Sequence, residues 1–155
     1  MLDKELTSQI LGKNAYKTEI VKKYTNFLSK FPEIFSDLCS GSNFDFAIYK
    51  SIEAYDKRSP MDVFNVYRND HEIEINPGRA KNPDIELALS VEAVNRLIQT
   101  TTKKEYVKLL GSFYNNPDEE KGWIDFFLQK RTLTLIQMGY GKFAQTAGIL
   151  ENDDI

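Results

Sequence analysis

Few side chains in this sequence have the type and spacing for chemistry. His71, the single histidine, has neither a second imidazole nor a thiol near it in sequence, so it reads as a strand-end or surface residue, not a transition-metal ligand. Cys39 and His71 are a nucleophile and base by type. Cys39, however, falls on what reads as an apolar helix face, where thiols are buried and inert. Asp118, Glu119 and Glu120 form a carboxylate run, but it lies in a polar loop, where solvent keeps acids at their ordinary strength and not the raised pKa of a general acid. The Gly139-Tyr140-Gly141 triplet lacks the lysine and spacing of a phosphate loop and reads as a place where a helix packs closely or bends. No catalytic residue, metal site or cofactor is expected.

The elements around these residues follow from periodicity. The chain has 155 residues, one domain's worth, and buries about two-thirds of its unfolded surface if it folds as one. A short helix carrying Leu2, Leu6 and Ile10, capped by Asp3 and ended by Gly12, would precede a longer one capped by Asn14. In the longer helix Tyr16, Ile20, Tyr24, Phe27 and Phe31 recur at helical spacing, and Pro32 opens a further turn through Ile34, Phe35 and Leu38. The period then becomes two. Phe44, Phe46 and Ile48, continued by Ile52 and Ala54, face one side of a long strand, with Asp45, Ala47, Tyr49, Ser51, Glu53 and Tyr55 on the other. "DVFNVYR" and "HEIEI", joined at Asn69-Asp70, complete an antiparallel meander.

A fourth strand, with Ile85, Leu87 and Leu89 on one face, runs into a helix capped by Ser90. The next helix begins with the capping box Thr102 and Glu105 and carries Tyr106, Leu109, Leu110 and Phe113. The fifth strand lies in "GWIDFFLQ" and is apolar on both sides: Ile124, Phe126 and Leu128 point one way, Trp123 and Phe127 the other. From Thr132 a last helix would bear Leu133, Ile136, Tyr140, Phe143 and Ala147.

This order predicts an α+β fold: a five-stranded, mostly antiparallel sheet with helices on one face, residues 1–150 forming one domain with a helical N-terminal extension (1–40), and 151–155 an acidic tail. The inner face, from Phe44 to Leu128, would meet the helices. On the outer face Tyr49, Tyr55, Trp123 and Phe127 would need a cover, either the N-terminal segment or a second subunit, so a homodimer is left open.

Composition excludes several partners. Twenty Lys plus Arg stand against 23 Asp plus Glu, with no basic run longer than two, which argues against nucleic acid. No apolar run approaches the roughly 20 residues of a membrane span, and "MLDKELTSQIL" is too polar and acidic for a signal peptide. A lone cysteine makes no internal disulfide and suits a reducing compartment. A cytoplasmic protein is expected.

The succession "FDFAIYKSIEAY" and "DVFNVYRNDHEIEINPGRAKNPDIELALSVEAVNRLI" resembles the sterol carrier protein type two family, in which a meander leads through a loop into a strand of the form PD-x-x-L-x-L-S and a helix. Here that signature is Pro83, Asp84, Leu87, Leu89 and Ser90. The resemblance spans roughly residues 40 to 147 and implies a sheet and helices enclosing an apolar tunnel for fatty acyl, acyl-CoA or sterol-like ligands. The chain departs from the family where "LLGSFYNNPDEEKGWIDFFLQ" is longer, more acidic and more aromatic, and where it ends Asn-Asp-Asp-Ile in place of a peroxisomal address.

The expected function is therefore non-enzymatic lipid binding or carriage in a pocket formed by Phe113, Phe126, Leu128, Leu133, Ile136, Met138, Tyr140 and Phe143, with Tyr106, Tyr114 or Tyr140 offering a hydroxyl to a polar head. The alternative is a protein-interaction or oligomerisation module whose pocket side chains fill.

Overall fold

The structure, a computed structural model, describes Tyr16 and residues 18–149. The helix expected around Leu2, Leu6 and Ile10, the Asn14 cap and the acidic tail lie outside these. The described elements are α1 (Glu19–Ser29), a 3-10 turn (Pro32–Phe35), β1 (Asn43–Tyr49), α2 (Ile52–Asp56), β2 (Asp62–Asn69), β3 (Glu72–Pro77), β4 (Ile85–Ser90), α3 (Val91–Leu97), α4 (Lys103–Asn115), β5 (Ile124–Leu128), α5 (Thr132–Gln137) and α6 (Tyr140–Thr146).

The fold is α+β. Its five strands lie in the order β3-β2-β1-β4-β5. The β1–β2, β2–β3 and β4–β5 pairs are antiparallel, and β1–β4 is parallel. Local signals set many of the boundaries. Thr18 caps α1 by accepting from the Val21 amide at 3.4 Å. The Ser90 hydroxyl accepts from Ala93 N and from Trp123 N, each at 3.1 Å, so one side chain starts α3 and anchors the beginning of β5. Thr102 caps α4 through Glu105 N at 3.1 Å. The reciprocal half of that capping box is shifted by one residue, because the Glu105 carboxylate accepts from Thr101 N.

The inner face of the sheet alternates as its period requires. Phe44, Phe46, Ile48, Phe64, Val66, Leu87, Leu89 and Ile124 are buried there against Val21, Tyr24 and Leu28 of α1 and against α3 and α4. Tyr24 meets Phe46 and Phe64 edge-on, with ring centroids 5.6 and 5.7 Å apart. Such edge-to-face contacts add about 0.5–1.5 kcal/mol each to simple area burial. Val21, Tyr24, Leu28, Ile34, Phe35 and Leu38 are thus part of the core.

Three expectations are corrected. First, the long strand ends at Tyr49 and Ile52–Asp56 is helical. Ser51 accepts from Ala54 N at 3.1 Å and Glu53 pairs with Lys57 at 2.9 Å, so a cap and an i,i+4 ion pair win over a two-residue alternation. Second, this short α2 covers the outer aromatics: Ile52, Ala54 and Tyr55 pack on buried Ala47, Tyr49, Ala88 and Trp123. The Tyr55 ring stacks on Trp123 at 5.0 Å and its hydroxyl donates to Asp125. Third, the last helix is two helices. Between them Gly139 has φ +98°, and a Cβ there would lie 2.0 Å from the Asp37 carbonyl oxygen. Only glycine satisfies both conditions.

Candidate functional site

Between the inner face and the last three helices lies a cavity of about 310 Å³. Its floor is two rows of side chains set by strand register. Phe44, Ile85 and Leu128 align across β1, β4 and β5, as do Phe46, Leu87 and Phe126. One wall is α4, where Tyr106, Leu110 and Tyr114, spaced by four, share a face. The roof is Thr132, Leu135 and Ile136 of α5 with Tyr140, Gly141, Phe143 and Ala144 of α6, and Phe35, Leu38 and Ile149 complete the lining.

Close helix contact holds this roof in place. A Cβ on Gly111 of α4 would lie 1.7 Å from the Ala147 carbonyl oxygen, so the backbones of α4 and the end of α6 touch. Asp37 receives Lys103 of α4 at 3.0 Å and lies 3.5 Å from Lys142 of α6, bringing a carboxylate beside the Gly139 bend.

The polar groups at the cavity are few, and its two buried hydroxyls are already engaged. Tyr106 shares a hydrogen bond with Tyr24 through their hydroxyls, and burial pushes both phenols above their ordinary pKa. Tyr140 donates to Asp84 Oδ2 at 2.7 Å. Burial first, then the Asp84 carboxylate, raises the Tyr140 pKa far enough to keep the hydroxyl protonated. Asp84 is fully buried, accepts from Asn43 N at 2.9 Å and pairs with Lys130. Such a carboxylate is tolerated because each oxygen has a partner. The lining itself contains no charged side chain among the described residues.

Of the eight residues expected to form a pocket, Phe126, Leu128, Ile136, Tyr140 and Phe143 line this cavity. The other three do not. Phe113 is buried, but it stands about 100° round the helix from Tyr114 and meets Gly122 instead. Leu133 is 66% exposed. The break at Gly139 resets the helical phase, so the face of α5 that looks inward is 132, 135 and 136. Met138, at the end of α5, packs on the core, and its carbonyl accepts from Cys39 N at 2.8 Å.

Of the three tyrosines expected to serve a head group, Tyr106 and Tyr140 are engaged with protein partners. Tyr114, 39% exposed and beside Phe126 at 5.1 Å, makes no hydrogen bond through its hydroxyl among the described residues.

The remaining candidates take structural positions. His71 is exposed at the β2–β3 turn. Cys39 is also exposed, contrary to expectation, because the helical turn stops at Phe35 and leaves it in a loop. Asp118 accepts from Glu120 N at 2.8 Å and Lys121 N at 2.9 Å, bonds that hold its pKa below the usual carboxylate value and make it a turn former.

Asp84 stands in the sequence only as part of the PD-x-x-L-x-L-S pattern, and nothing near it signals its partnership with Lys130 and Tyr140. Partners 46 and 56 residues away leave no local signal. Phe35 and Leu38, whose spacing after Pro32 marks a helix face, line the cavity. The Tyr106, Leu110 and Tyr114 stripe has a signal in its spacing of four, but the face expected from the sequence runs through Leu109 and Phe113 instead of Tyr114. No model of a known protein family, no curated protein and no solved structure matches the chain.

Proposed function

We propose that the protein binds a lipid, holding one fatty acyl chain or a sterol-like body of similar bulk in the cavity between sheet and helices. One observation carries this reading: a cavity of about 310 Å³ whose lining is almost wholly aliphatic and aromatic, with its deep hydroxyls already engaged. That volume is at the lower end of the roughly 300–1,000 Å³ typical of small-molecule sites. Burial of the chain would contribute about 0.8 kcal/mol per methylene.

The polar end of the ligand stays at the mouth, where Tyr114 and Leu128 are exposed, because a carboxylate carried inward would meet no counter-charge and pay the full cost of desolvation. A free fatty acid or the acyl part of acyl-CoA fits this arrangement, with the head group or the coenzyme left outside. The sterol-carrier resemblance of residues 40 to 147 points the same way. In the rival reading, a pure interaction module, side chains would fill the space the cavity takes.

The test is titration of delipidated protein with a fluorescent fatty acid, beside native mass spectrometry and organic extraction of freshly purified protein. Saturable one-to-one uptake, displaced by unlabelled fatty acid, is expected. A protein that carries no lipid and takes up neither fatty acid nor acyl-CoA would overturn the proposal.

A further inference from the structure

Three large apolar side chains are conspicuously exposed among the described residues: Tyr114 at 39%, Leu128 at 57% and Leu133 at 66%. Scattered singly, such residues need no explanation. Here two of them belong to one cavity and the third is next in sequence to a residue that lines it. Tyr114 and Leu128 line the cavity on its exposed side, and Leu133 follows Thr132, another lining residue, at the start of α5. An exposed apolar group rimming an opening marks an interaction surface.

The charge around it narrows the partner. Lys130 and Arg131 stand between Leu128 and Leu133, and from residue 126 to 149 the chain has three basic residues, Lys130, Arg131 and Lys142, and no acidic one. The whole chain has a formal net charge of −3, so this stretch is set apart from the rest. Lys130 is engaged by Asp84 and Lys142 lies near Asp37, while Arg131 is exposed and makes no ion pair among the described residues. Leucines and a tyrosine flanked by basic residues are the composition that enters the head-group layer of a bilayer and meets anionic lipid.

We infer that the rim of the cavity is a docking surface for an anionic lipid membrane, with Leu128, Leu133 and Tyr114 entering the interfacial layer and Arg131 against the lipid head groups. The inference rests on the cavity being a lipid site, since a mouth seated on the bilayer passes an acyl chain between membrane and protein without exposing it to water. Leu133, which does not line the cavity, gains a role on this reading.

The experiment is co-sedimentation of the full chain with phosphatidylcholine vesicles, with and without phosphatidylserine, beside fluorescent fatty-acid titration without vesicles. Association with the phosphatidylserine vesicles, weakened by salt, is expected. Leu133→Glu should lower it by about tenfold, since it replaces an inserting side chain with a repelled charge. Arg131→Glu removes one favourable charge and adds an opposing one, about fivefold each. Both variants should keep the parent's fatty-acid affinity, because neither residue lines the cavity. No association of the parent with anionic vesicles, or equal association of parent and Leu133→Glu, would overturn the inference. So would a dimer, seen by sedimentation velocity, that Leu133→Glu dissociates, because the rim would then be a surface for a second copy. A parent that associates with vesicles through Leu133 but takes up no fatty acid would keep the docking surface and remove the cavity reading alone.

Discussion

Tyr140 donates its hydroxyl to Asp84 across 2.7 Å, and through this bond the first residue of α6 is tied to the residue just before β4. The same carboxylate accepts from Asn43 N, at the start of β1, and from Lys130 in the loop before α5. The Tyr140 ring also meets Phe44 edge-on at 6.1 Å. One buried acid therefore sets the position of the roof above the parallel strand pair.

Tyr140→Phe keeps the ring and removes the donor. Asp84 Oδ2 is then left with only the Asn43 amide, and a buried acceptor that loses a partner costs about 1–3 kcal/mol. Urea unfolding should show a lower midpoint with an unchanged m-value. Fatty-acid affinity should change little, because the hydroxyl is turned to Asp84 in the parent. A loss within about 0.5 kcal/mol, as for an ordinary surface substitution, would mean that this bond does not hold the roof.

The Tyr24 and Tyr106 pair gives a pH dependence of definite sign. Burial raises both phenol pKa values above the ordinary 10.0. As pH rises past about 10 the unfolded chain loses these protons first, so the native state binds more of them and stability falls. The contribution is fully present below pH 10 and is lost above it, at about 1.4 kcal/mol per pH unit for each tyrosine. Tyr106→Phe should make the fall in unfolding free energy above about pH 10 shallower by that amount. Equal slopes for parent and variant would show that Tyr106 ionises as readily folded as unfolded.

Legibility in the sequence depended on the range of the interaction responsible. Ser90 and Thr102 cap the helices expected of them because a cap is decided within four residues, and the inner face of β1 and both faces of β5 were readable because alternation is local. Residues 51 to 55 also alternate. There, the Ser51 cap and the Glu53–Lys57 pair offered a competing local structure, and packing of Tyr55 on Trp123 favours it. Leu133 turned outward for a longer-range reason: Gly139 meets the Asp37 carbonyl, and the resulting bend breaks a phase that sequence spacing carries straight through. The parallel pairing of β1 with β4 and the Asp84 cluster depend on residues more than 40 apart, which no window of sequence joins.

Ala144 lies one helical turn beyond Tyr140 and lines the cavity roof, so enlarging it distinguishes open space from close-packed core. In a solid core Ala144→Phe would force neighbours off their rotamers and cost on the order of 1–3 kcal/mol. Over a cavity of about 310 Å³ the new ring enters space the protein does not fill. Little loss of stability is expected. The ligand bears the cost instead, because each methylene the ring displaces removes about 0.8 kcal/mol of binding, so two or three lost contacts weaken an acyl chain by more than tenfold. Thermal midpoint and fatty-acid affinity must be measured on the same preparation, since either alone is ambiguous. A near-parent midpoint with sharply weakened binding is the expected result. A large drop in midpoint with undiminished fatty-acid binding would place the acyl chain elsewhere and leave the space beneath α6 as core.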